Sequence, residues 1–61
     1  MNFTQANKIV QDRADIYGMS VLDMLIVMQE QLEQGELGDR EARATRVFLT
    51  EGRKFFAPAG V

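Results

Sequence analysis

Apolar residues recur at spacings of three and four along the first part of the chain, at Phe3, Ala6, Val10, Ala14 and Tyr17, with Ile9 and Ile16 widening the stripe. That period is the mark of a helix with one face turned to a core. It predicts a first helix over residues 4–17 with Thr4 as its N-cap, stopped by Gly18, a residue that takes the left-handed conformation without strain. The pattern restarts at Ser20, which caps a second helix with Asp23 three residues on, a capping-box variant, and Met19 is placed to pack on Met24 as a hydrophobic staple. This second helix runs over residues 21–34 and ends at Gly35. The connection Gly35-Glu36-Leu37-Gly38 suits two helices folding back antiparallel. Gly38 or Asp39 opens a third helix reaching about Phe56, before Pro58 and Gly60 finish a short tail. The expectation is an all-α protein: a short N-terminal helix plus an antiparallel helical hairpin in one domain over residues 1–56, with a flexible C-terminal tail over 57–61.

The second helix is more apolar than a one-sided core helix needs. Val21, Leu25, Met28 and Leu32 form an a/d-like seam, while Leu22, Met24, Ile26 and Val27 spread apolar surface around most of the first two turns. Two flanking helices in so small a domain seldom conceal such a helix, so coverage by a second copy is expected beside coverage by the chain's own helices. In the third helix Ala44, Phe48 and Phe55 share one edge and Leu49, Gly52 and Phe56 the next. A glycine inside a helix costs about 1 kcal/mol relative to alanine, so Gly52 signals close approach of another helix or an earlier helix end. The expected partner or oligomer interface is Val21, Leu25, Met28, Leu32, Phe48, Phe55 and Phe56. The four methionines allow an adaptable binding surface as well, because unbranched thioethers re-pack easily.

Composition narrows the function classes. A chain of 61 residues makes one domain and buries only about 60% of the surface its unfolded form exposes. Cysteine and histidine are absent, which removes disulfides and thiolate or imidazole metal ligands, and leaves regular helix packing and oligomerisation as sources of stability. A hydrophobic fraction of 46% with 26% charged residues argues for a folded chain rather than a disordered one. The longest apolar run, Met24 to Met28, falls far short of the roughly 20 residues that span a bilayer, and no signal-peptide pattern appears, so a cytoplasmic protein with no membrane partner is expected. Asp12 with Asp15 and Glu30 with Glu33 stand at ordinary helical spacing, and there is no glycine-rich phosphate loop or nucleophile elbow. No catalytic residue, cofactor or metal site is expected, and the chain is read as a non-enzyme.

Charge is separated along the chain. Residues 1–38 hold two basic residues against six acidic ones, a net charge of −4, whereas residues 39–61 hold five basic against three acidic, a net of +2. Positions 43, 46, 50 and 53 lie along one helix face opposite Phe48 and Phe55. Arg40, Arg43, Arg46, Arg53 and Lys54 are accordingly the candidate nucleic-acid contacts, since the guanidinium fork donates to phosphate oxygens in pairs. Two other uses stand beside that one: ion pairs with Glu30, Glu33 and Glu36 on the neighbouring helix, or contact with an acidic protein surface.

A family resemblance covers about residues 20–56. The runs Leu22-Asp23-Met24-Leu25, Gln31-Leu32-Glu33-Gln34-Gly35-Glu36-Leu37 and Arg43-Ala44-Thr45-Arg46-Val47-Phe48-Leu49 resemble the helix, Gly-Glu turn and Arg-x-Phe-Leu helix of small terminase subunits from short-tailed bacteriophages. That resemblance implies a non-catalytic partner of a packaging ATPase that assembles into oligomeric rings and helps to select viral DNA. Its partners would be other copies of itself, DNA and the larger ATPase, in the host cytoplasm. Two other classes fit the size and composition: a small adaptor or inhibitor docking on a host or viral protein through its apolar helix faces, and an RNA-binding helical hairpin dimer similar to the plasmid copy-number regulators.

Overall fold

The computed structural model describes the backbone of residues 1–56 and the side chains through Gly52. Three helices follow in chain order, α1 (Phe3–Tyr17), α2 (Val21–Glu33) and α3 (Asp39–Phe56), and all three pack against one another. None is long and apolar enough to cross a membrane.

Local chemistry accounts for the ends of α1 and α2. Asn2, not Thr4, caps α1: its side chain accepts from the Gln5 N–H at 2.9 Å, and the Gln5 amide oxygen accepts from the Asn2 N–H at 3.0 Å. This reciprocal capping box satisfies two orphan donors at once, which Thr4 cannot match with Asn7 three residues on. At the other end Gly18 sits at φ 67°, the Met19 N–H donates to the Ala14 carbonyl at 2.8 Å and the Gly18 N–H to that of Asp15 at 3.3 Å. The same double bond closes α2, with Gly35 at φ 71°, Glu36 N–H to the Gln31 carbonyl at 2.8 Å and Gly35 N–H to that of Leu32 at 3.2 Å. Both helices therefore end in a Schellman motif, which needs a left-handed residue at the glycine. Ser20 caps α2 as predicted, its hydroxyl accepting from the Asp23 N–H at 3.1 Å. The reciprocal bond of a full box does not form, because the aspartate side chain is one methylene shorter than the usual glutamate.

The core draws on all three helices. Ala6, Ile9, Val10 and Ala14 of α1 meet Met24, Leu25 and Met28 of α2 and Ala44 and Phe48 of α3. Alanine at three of these fully covered positions lets the helix axes approach closely. Phe3 stacks on Phe48 with ring centroids 5.0 Å apart at 46°, joining the start of α1 to the middle of α3. The α1–α3 pairing is the most extensive of the three, and α2–α3, the hairpin pair, the least. The first helix is thus the element on which the other two pack. Thr45 is fully buried, and its hydroxyl donates to the Glu41 carbonyl at 2.8 Å, which satisfies the one polar group in this part of the core. The helix continues through Gly52, which is buried, so the earlier helix end is not what the structure has.

Candidate interaction surfaces

The outward side of α2 follows from its inward side. With Met24, Leu25 and Met28 turned into the core, the helical period places Leu22, Ile26 and Glu33 on the opposite face, with Glu30 beside them. Leu22 is 68% exposed and Ile26 50%. Three more large apolar side chains, Ile16, Tyr17 and Met19, stand exposed around the turn between α1 and α2. The apolar surface left over by folding is therefore centred on the first half of α2 and the end of α1.

This corrects the predicted interface. Leu25, Met28 and Phe48 are buried in the chain's own core, Val21 is half-buried against it, and Leu32 is half-buried. Leu25, Met28 and Phe48 cannot be surface anchors while the chain stays folded, because its own helices already cover them. The side chains of Phe55 and Phe56 lie outside the described residues. Leu22 and Ile26 escaped the interface assignment because a helix that is apolar almost all round does not say which side its neighbours will take. Their spacing of four, continued by Glu30 and Glu33, was the available signal.

The basic residues fall where the α3 period puts them. Ala44, Thr45 and Phe48 point inward, and Arg43, Arg46 and Thr50 are exposed on the opposite face, with Arg40 exposed one turn earlier. Arg53 and Lys54 belong to the same stretch, but their side chains lie outside the described residues. Among the described residues Arg40, Arg43 and Arg46 form no ion pair, so the expected pairing with Glu30, Glu33 and Glu36 does not occur. Glu30, Glu33 and the arginines are all exposed, each on the side of its own helix turned away from the core. Leu32 and Leu37 help to wall a shallow hollow of about 300 Å³ against Asp39, Arg43 and Arg46. Its aspartate offsets part of the arginine charge at that end of the helix.

Arg13 has a role that charge counting did not anticipate. It is half-buried, its Nη2 donates to the Gln31 Oε1 of α2 at 3.2 Å, and its guanidinium carbon lies 5.6 Å from the Tyr17 ring centroid. An arginine four residues before a tyrosine on a helix is the signal for this stacking. The surface pair Lys8–Asp12, at 3.3 Å and likewise four residues apart, is an ordinary exposed contact worth about 0.3–0.5 kcal/mol. Among the described residues no three Asp or Glu side chains converge as a set that could hold a metal ion.

Compared with known proteins, the chain matches no protein-family model, no curated protein and no solved structure. Its function has to be read from its own surfaces.

Proposed function

We propose that this chain is a non-catalytic helical interaction protein that assembles with copies of itself through the outward face of α2. The observation that carries this reading is the exposure of Leu22 and Ile26 on a helix whose other face already fills the core. Fully burying such a side chain contributes about 1.5–3 kcal/mol, and contiguous exposed apolar surface is what association sites present. A domain of this size has few other sources of stability, which gives self-association a thermodynamic reason as well.

The resemblance of residues 20–56 to small terminase subunits supplies the most specific form of the reading: an oligomer acting beside a packaging ATPase in the host cytoplasm, with DNA as a further partner. The exposure of Arg40, Arg43 and Arg46, unpaired among the described residues, leaves that face open to an acidic surface, whether on another copy or on a polyanion.

The test is the mass of the protein in solution by size exclusion with light scattering, over a range of concentrations and at two salt levels. A discrete assembly supports the reading. A monomer at every concentration overturns it and leaves the apolar face to a different protein, as an adaptor or inhibitor would use it. For the polyanion, titration of a labelled duplex should show Arg43→Ala with Arg46→Ala weakening binding and reducing its salt dependence; identical curves for variant and wild type would remove nucleic acid from the partners.

A further inference from the structure

We propose that the copies join head to tail, the outward face of α2 on one copy seating on the outward face of α3 on the next; this rests on the self-association reading above and specifies its geometry. The two faces are complementary in charge and in spacing. The α2 face presents Glu30 and Glu33, both exposed, three residues apart, and α2 contains no lysine or arginine. The α3 face presents Arg43 and Arg46, also exposed and three residues apart, with no ion pair among the described residues. At 1.5 Å rise per residue both pairs are separated by about 4.5 Å along their helices, so two carboxylates meet two guanidinium forks in one register. Run antiparallel, that register sets Ile26 opposite Thr50, the exposed uncharged position on the arginine face.

The alternatives bring like charges together. Pairing two α2 helices in parallel would set Glu30 and Glu33 of one copy beside those of the other, and an antiparallel twofold pair centred on Leu22 and Ile26 would leave the acids of both copies without a cation on either helix face. Pairing α3 with α3 would oppose arginines in the same way. Within one chain no ion pair joins the two faces among the described residues. A second copy brings them together.

A charge-reversal exchange tests the geometry. Arg43→Glu with Arg46→Glu leaves a molecule acidic on both faces, and Glu30→Lys with Glu33→Lys one basic on both. Each variant alone should keep its helical circular dichroism and lose self-association, with the concentration for half-assembly raised by at least about tenfold. An equimolar mixture should recover the wild-type mass, since every α2–α3 contact is again between opposite charges. Should a reversed variant fail to fold, the Glu30→Gln with Glu33→Gln and Arg43→Gln with Arg46→Gln pairs replace it, each expected to weaken assembly of a folded chain. If the wild type assembles and either variant assembles equally well alone, or if the mixture stays dissociated, the head-to-tail contact is wrong while self-association stands. A reversed-arginine variant that assembles normally but loses affinity for a labelled duplex assigns the arginine face to nucleic acid and overturns the proposal. A monomeric wild type overturns both readings together.

Discussion

Leu22 and Leu25 are the same residue on the same helix, three positions apart, and they live in different surroundings: one is 68% exposed, the other 8%. Leu25 belongs to a face that α1 and α3 cover, and Leu22 to the face turned away from them. Composition and hydropathy rate the two alike. What separates them is a decision made by the neighbouring helices, and it divides the apolar residues of α2 into those that hold the monomer together and those available to hold copies together.

Substitutions at matched positions should expose that division. The largest effect is expected for Leu25→Asp, which places a charge without a partner in the core; the chain should lose its helical circular dichroism at 25 °C. A folded Leu25→Asp protein would mean that this side of α2 is not the covered side. Next, Phe48→Ala removes both core volume and the ring contact with Phe3, and should lower unfolding free energy by about 3–5 kcal/mol in a urea titration. A loss well under 1 kcal/mol would detach α1 from the core. Ser20→Ala acts on both faces equally, since it frays the start of α2, and a loss of about 1 kcal/mol is expected by the same titration. The smallest change in monomer stability belongs to Leu22→Ser with Ile26→Ser, within about 0.5 kcal/mol in dilute solution. Those two substitutions should nevertheless abolish the rise of melting temperature with protein concentration that an associating wild type shows. A variant that melts with the wild-type concentration dependence would move the interface elsewhere.

The parts of the fold that were legible in the sequence share a short range. Ser20, Gly18 and Gly35 were readable because a cap or a Schellman motif closes within five residues of chain, so the signal and its partner lie in the same window. The same range held the information for Asn2 with Gln5, where Thr4 was preferred; the amide three residues after Asn2 was the distinguishing mark. The surfaces were harder. The arginines of α3 form one stripe by their spacing alone, yet they make no ion pair with the α2 acids among the described residues, because the period of one helix does not say how it is turned toward its neighbour. The tie from Arg13 to Gln31 joins two helices, and nothing within α1 names its partner.

The sequence by itself determined three helices, their breaks and the separation of an acidic from a basic part, because capping, helical period and formal charge depend on neighbours a few residues away. Only the tertiary structure decided which side of α2 would be covered, which leucines would be left outside, and that the α2 acids and the α3 arginines would form no ion pair among the described residues. Those outcomes depend on how three helices divide a limited amount of apolar surface among themselves, a property of the packed whole that no single segment contains.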